Sequence, residues 1–299
     1  MVNGAVIVYK EKGMTSFDVI YRLRKIFGVR KIGHTGTLDP DAEGVLICCL
    51  GRATKAVSLL EADTKTYEAH MHLGLVTDTQ DISGEVLERR EVHVGETAVR
   101  EALAAFEGTV DQIPPMYSAL KVNGQKLVDL ARRGKEVERQ PRKVTFSGME
   151  ILSIDMPEVV FRVTCTRGAY IRTLCHDAGL KLGCGAAMGY LLRTRVGDFG
   201  LDRALKLDEI RIRVENGDLG FVIPTDELFP QYVKVKAERK GQNKALLNGN
   251  LLRIADTGVP VGKTVRMYTR DGDFAGLYRL ADDEGRFELI KYFYDINRN

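Results

Sequence analysis

The residues best suited to chemistry form the run Gly33-His34-Thr35-Gly36-Thr37-Leu38-Asp39-Pro40. Its two glycines permit a tight backbone path. Pro40 fixes its own φ and pushes Asp39 toward an extended conformation. The outcome is a carboxylate on a stiff loop, a good mount for a catalytic group. The same residues also suit an ordinary turn in which Asp39 bonds its own backbone. Other motifs fail on spacing. Gly258-Val259-Pro260-Val261-Gly262-Lys263-Thr264 has one residue too few between its glycines for a phosphate loop, and a β-like run follows where a helix is required. His70 and His72 would share one strand face, but no third metal ligand lies near them in sequence. The chain contains no G-x-S-x-G, no H-E-x-x-H and no helix-opening G-x-G-x-x-G. Cys48, Cys49, Cys165, Cys175 and Cys184 make no C-x-x-C pair and are odd in number, which argues against a disulfide framework or a zinc site. Neither a metal nor a cofactor is expected.

The elements around the loop must hold it. Upstream, Ile20, Leu23 and Phe27 recur at helical spacing behind Ser16, a capping residue, and Gly28 closes the pattern. Downstream, Val45 to Leu50 reads as a buried strand. Val2 to Tyr9 and Thr66 to Leu73 are β-rich. Val99, Leu103 and Phe106 mark a helix stopped by Gly108, and Leu127 and Leu130 mark a short one. Phe161, Val163 and Cys165 alternate with Arg162, Thr164 and Thr166, as in a half-buried strand. Ile171, Leu174, Ala178 and Leu182 return to helical spacing, ended by Gly183. After Pro230 the chain becomes short β-runs separated by turns such as Arg270-Asp271-Gly272-Asp273. Strands and helices mix without regular alternation, so the expected class is α+β rather than a doubly wound sheet. A boundary near residue 230 divides the chain into 1–230 and 231–299.

The chain has 299 residues, 44% hydrophobic and 28% charged, the composition of a soluble globular protein with a sizeable core. Val45 to Leu50 is far too short an apolar run to cross a bilayer, so no membrane association is expected. Met1 to Gly13 lacks a basic segment followed by a long apolar one, which leaves the cytoplasm as the expected compartment. Net charge is only +3, yet Lys121 to Lys143 holds eight basic residues and three acidic ones. That concentration suits either a polyanion partner or a solvated helix face with a basic loop.

A longer match bears on these alternatives. From Gly33 to Lys55 the chain reads G-H-T-G-T-L-D-P-x-A-x-G-V-L-x-x-C-L-G-R-A-T-K. This resembles the active-site segment of the TruB family of pseudouridine synthases. Four further segments agree in order. Lys65-Thr66-Tyr67 leads to Leu73-Gly74 and Thr77-Asp78-Thr79-x-Asp81-x-x-Gly84. Gln112-Ile113-Pro114-Pro115-Met116-Tyr117-Ser118-Ala119-Leu120-Lys121 runs on to Arg132-Arg133-Gly134. Arg167 to Leu174 resembles a G-x-Y-I-R-x-L helix start, and Leu191 to Val196 an L-R-R-T-R-V segment. The resemblance covers about residues 5 to 230 and departs at four places. Leu192 and Arg193 stand where the family has two arginines, Ala187 replaces a histidine, Asp198 a proline and Ala169 a threonine.

The resemblance implies a pseudouridine synthase fold, with a mixed, largely antiparallel central sheet flanked by helices. It also implies a small PUA-like C-terminal β-domain. The implied activity is isomerisation of a uridine in the T-arm of tRNA, at position 55, by a stand-alone cytoplasmic monomer that has no obligatory protein partner. Asp39 would be the nucleophile, attacking either uracil C6 or the ribose. Arg172 would pair with it, and Tyr67 would stack on the extruded base and take part in proton transfer. Tyr170 and Leu191 match pocket positions, and His34 a residue that holds the rearranged loop. Lys121, Arg132, Arg133, Arg142, Lys143 and Arg193 are the expected RNA contacts, and the C-terminal unit would reach toward the acceptor end. A guide-RNA-dependent enzyme of the dyskerin type, an RNA-folding chaperone and an inactive RNA-binding module are the competing readings.

Overall fold

In the computed structural model of the protein, residues 2–61 and 64–294 are described. The chain opens with β1 (Gly4–Lys10) and α1 (Ser16–Phe27), followed by β2 (Ile32–His34), β3 (Glu43–Leu50), α2 (Val57–Leu60) and β4 (Lys65–Leu73). A hairpin, β5 (Leu75–Thr77) and β6 (Val86–Arg89), leads to α3 (Glu96–Ala104) and β7 (Gly108–Gln112). A second small hairpin, β8 (Lys121–Val122) and β9 (Gln125–Lys126), precedes α4 (Leu127–Ala131). Then come β10 (Arg142–Asp155), β11 (Glu158–Cys165), α5 (Ile171–Leu182), β12 (Ala186–Val196), β13 (Phe199–Gly200) and α6 (Leu207–Glu215).

One nine-stranded sheet runs in the order β1-β3-β12-β4-β11-β10-β7, with β2 on β3 and β13 on β12. Only β3 and β12 are parallel in it, so the sheet is mixed and largely antiparallel as expected. The alternating burial of β4 and β11 follows their alternating sequences, with Tyr67, Ala69 and Met71 inward beside Phe161 and Val163. Arg193 of β12 lies opposite Tyr67 of β4 on one side and Gly44 of β3 on the other. Gly44 has φ +105°, and a Cβ there would fall 2.2 Å from the Arg193 carbonyl oxygen. Glycine is what lets these two strands run side by side.

α1 differs from expectation at its start. Thr15, not Ser16, is the cap: its Oγ1 accepts from the Asp18 N–H at 3.1 Å, and Asp18 Oδ2 accepts from the Thr15 N–H at 2.8 Å. This reciprocal pair satisfies two helix-end donors. It frees the Ser16 hydroxyl for a tertiary role.

The tail contains β14 (Val233–Lys236), α7 (Lys240–Leu247), β15 (Leu252–Arg253), β16 (Thr264–Tyr268), β17 (Phe274–Leu280) and β18 (Arg286–Tyr292). Its five strands form a separate sheet, ordered β14-β16-β17-β18-β15, the small β-unit expected. Leu277 and Phe293 from this unit pack with Ala5, Ile7, Ile47 and Phe229 in one apolar cluster. The two sheets therefore share buried surface. Among the described residues no helix is long and apolar enough to cross a membrane.

Candidate active site

The Asp39 loop spans the gap between β2 and β3, and polar groups from distant segments fix its backbone. Ser16 Oγ accepts from the Leu38 N–H at 2.9 Å and donates to the Leu38 carbonyl at 3.2 Å. The Pro40 carbonyl accepts from the Gly13 N–H and from Lys10 Nζ, each at 3.0 Å. Lys10 is fully buried, and burial pushes its ammonium down to about 8. The Arg193 guanidinium donates to the carbonyls of Gly36 at 3.2 Å, Thr37 at 3.4 Å and Val45 at 2.7 Å. A loop so tethered keeps its carboxylate in one place, which is what a near-attack geometry requires.

Arg193 was expected at an RNA-facing surface; the structure corrects this. Its residue is 1% exposed and its donors are taken by backbone carbonyls. The register of β12 between β3 and β4 turns the side chain into the sheet's interior, so its charge organises the loop.

Arg172 stands in the first turn of α5 and meets Asp39 directly, Nε to Oδ2 at 3.0 Å. Nη1 donates to the Thr79 carbonyl at 3.2 Å and lies 3.7 Å from Asp81 Oδ2, while Nη2 donates to the Tyr117 carbonyl at 3.1 Å. A cation at a helix N-terminus is disfavoured by the dipole, and these acceptors offset that cost. The Arg172 side chain is 6% exposed and that of Asp39 44%. The pair is therefore closed on the guanidinium side and open on the carboxylate side. Asp81 and Gln112 complete this arrangement. Gln112 Oε1 accepts from the Tyr170 N–H at 2.8 Å, and its Nε2 donates to the Tyr170 carbonyl at 3.0 Å. One buried amide thus fixes the backbone two residues before Arg172. Both residues lie in runs that carry the family resemblance, but spacing gave no hint of their partners.

Asp39 opens onto a cavity of about 430 Å³. Its wall brings together His34, Tyr67, Tyr170, Leu191 and Arg172; the cations Lys65, Arg142, Arg167 and Arg172 and the carboxylates Asp39 and Glu61 line it, and the buried Arg193 guanidinium touches it only at its edge. The volume falls in the range of small-molecule sites, about 300–1,000 Å³. Burial raises the Tyr67 phenol above its ordinary value and does the same to Tyr170. Both rings therefore enter the cavity neutral, as flat faces with a hydroxyl. Burial lowers the His34 imidazole, keeping it neutral at ordinary pH, and its Nδ1 accepts from the Gly36 N–H at 3.3 Å. Of the other expected RNA contacts, Arg142 lines the cavity, while Lys121, Arg132, Arg133 and Lys143 are exposed outside it. Lys143 pairs with Asp111 at 3.5 Å. Lys65 and Arg167 were not anticipated. Leu192 points away from Arg193 and is not in the wall, so the family arginine missing there would not have faced the cavity.

The sequence as a whole matches known proteins at this same region. The family model described as "TruB family pseudouridylate synthase (N terminal domain)" matches residues 24–171. A second, "tRNA pseudouridylate synthase B C-terminal domain", matches residues 172–220. The chain belongs to the TruB family. A TruB relative named tRNA pseudouridine synthase B, from Lachnoclostridium phytofermentans, is 47% identical over 98% of this chain and 100% of its own. One of the same name from Clostridium acetobutylicum is 42% identical over 97% of this chain and 99% of its own. Among solved structures, a chain in the crystal structure of a Cbf5-Nop10-Gar1 complex superposes with a TM-score of 0.74. It is 27% identical and covers 98% of this TruB chain and 86% of that one.

Proposed function

We propose that this protein isomerises uridine to pseudouridine in the T-loop of tRNA, at position 55, with Asp39 as the nucleophile. The observation that carries the reading is the Asp39–Arg172 pair, fixed at 3.0 Å, its carboxylate open to a nucleotide-sized cavity walled by two tyrosine rings. In a folded RNA loop the target base is stacked, so it must swing out to reach Asp39. The faces of Tyr67 and Tyr170 replace the lost stacking, and Arg142 and Arg167 supply charge for the backbone. Within one nucleotide the N1–C1′ bond breaks and a C5–C1′ bond forms. N1 gains a proton and C5 loses one, so no redox partner or leaving group is consumed. The carboxylate adds either to uracil C6 or at the ribose. The neutral Tyr67 phenol is a proton donor at rest and can accept a proton only after giving up its own.

Identities of 42–47% to proteins named tRNA pseudouridine synthase B, against 27% to a chain from a Cbf5-Nop10-Gar1 complex, favour action on bare tRNA without an obligatory protein partner. On this reading the protein is a cytoplasmic monomer. Residues 1–230 form the catalytic unit and 231–299 a PUA-like RNA-binding unit reaching toward the acceptor end. Lys121, Arg132, Arg133 and Lys143 lie along the stem. The test is release of tritium from C5-labelled uridine in a tRNA transcript, with mass mapping of the product. Wild type should release label and place pseudouridine in the T-loop, while Asp39→Ala should release none yet bind tRNA within a few-fold of wild type. Turnover by Asp39→Ala would overturn the nucleophile assignment, and strict dependence on an added guide RNA would overturn stand-alone action.

A further inference from the structure

The outer face of α1 carries a stripe that the active site does not use. Phe17, Tyr21 and Lys25 follow one another at four-residue spacing, opposite the buried Val19, Ile20 and Leu23. Side chains at that spacing share one helix face. Phe17 is 65% exposed and Tyr21 52%, unusual for two large rings on a water-facing helix. Each is paired with a cation: Arg24 lies 5.9 Å from the centre of the Phe17 ring, and the Lys25 ammonium 4.5 Å from that of Tyr21. From Lys12 to Lys31 the chain holds six basic residues and one acidic, Asp18. Asp18 is committed to the Thr15 cap. This net of +5 equals that of the Lys121–Lys143 stretch. The helix that bears the stripe is tied to the reaction centre by its buried face and by the residues just before it. The first residue of α1, Ser16, grips Leu38 through both backbone groups, and Lys12 shares a second recess with Asp39 and Asp81.

We infer that the outer face of α1 is a second RNA-docking surface, on which unpaired or end-exposed bases of the substrate tRNA stack on Phe17 and Tyr21 while Arg22 and Lys25 neutralise adjacent phosphates. It rests on the reading of the cavity as a tRNA-modifying site. Basic residues interleaved with exposed aromatic rings are the combination that holds single-stranded nucleic acid. The charge tracks the backbone, and any base offers a π-face to the rings. A solvated helix face would carry the charge without the rings, and a protein-docking face would be poor in lysine, which here sits against the Tyr21 ring.

The experiment uses the full chain and an unmodified tRNA transcript, with Kd followed across a salt series. Arg22→Glu with Lys25→Glu should raise Kd about tenfold or more at low salt and reduce the slope of log Kd against log salt by about 2. Phe17→Ser with Tyr21→Ser should raise Kd at least about fivefold and leave that slope unchanged, because stacking releases no counterions. Arg22→Lys with Lys25→Arg should restore wild-type binding, which separates a charge effect from a folding defect. Both disruptive pairs should still convert saturating tRNA at the wild-type rate. Unchanged Kd and slope in both disruptive pairs would overturn the surface, as would lost affinity that the restoring pair fails to recover. If wild type binds tRNA but makes no pseudouridine, the cavity reading fails while the binding series still decides the stripe.

Discussion

The Arg193 guanidinium reaches across the sheet to the carbonyl of Gly36, 157 positions away in sequence, at 3.2 Å. With its bonds to Thr37 and Val45 it fixes the segment just before Asp39 to the strand just after it. Arg193→Lys keeps the charge but loses the planar fork. It should lower kcat at least about tenfold while tRNA affinity and its salt slope stay near wild type. Arg193→Met leaves buried carbonyls unpaired and should destabilise the fold by about 3 kcal/mol. Urea unfolding and single-turnover kinetics read both. A fall in salt slope for Arg193→Lys would instead assign the residue to phosphate binding.

Gln112 holds both backbone groups of Tyr170, and so sets where α5 begins and where Arg172 points. Gln112→Glu replaces the donor to the Tyr170 carbonyl with an acceptor. One hydrogen bond is lost and a buried carbonyl is left facing a second acceptor, so stability should drop by about 2 kcal/mol, or several degrees in melting temperature. Turnover at saturating tRNA should fall more than affinity does. Calorimetry with a kcat-against-KM comparison would decide, and an unaltered kcat would remove Gln112 from the positioning of Arg172.

Lys10 contributes a pH dependence whose sign follows from its burial. Its folded pKa of about 8 lies below the ordinary value of 10.5, so the native state sheds this proton before the unfolded chain does. The penalty of burying the ammonium is therefore full below about pH 8 and is relieved as pH rises toward 10.5. Between those limits Lys10 should make unfolding harder by roughly 1 kcal/mol per pH unit. Subtracting the stability profile of Lys10→Met from that of wild type should isolate this rise. A flat difference between pH 8 and 10 would contradict it.

Arg132 and Arg133 are exposed just after α4 and lie outside the cavity. Reversing both charges should weaken tRNA binding and reduce the salt slope by about 2, with tritium release at saturating tRNA retained. An unchanged slope would take this stretch out of the RNA groove.

Much of the architecture was legible because it follows from local pattern. The alternation in β11 and the helical spacing of α5 each coincide with the element they predict, and Gly28 and Gly183 end their helices in left-handed conformation. The start of α1 was not legible to one residue, because Thr15 and Ser16 are chemically equivalent caps. The Asp18 side chain decides between them. Arg193 misled for a different reason. Exposed and buried arginines read alike in sequence, and only its place on β12 between two partner strands turns it inward.

By itself, the sequence determined the stiff Asp39-Pro40 loop, the order of motifs around it and the family to which the chain belongs. These reside in short runs whose conformation depends on nearest neighbours. The tertiary structure alone decided what holds that loop: Ser16, Lys10 and Arg193 on its backbone, Arg172 on its carboxylate, and Gln112 behind Arg172. Hydrogen bonds act over about 3 Å of space but across scores of positions in the chain. Sheet order and register choose such partners, and no local spacing records them.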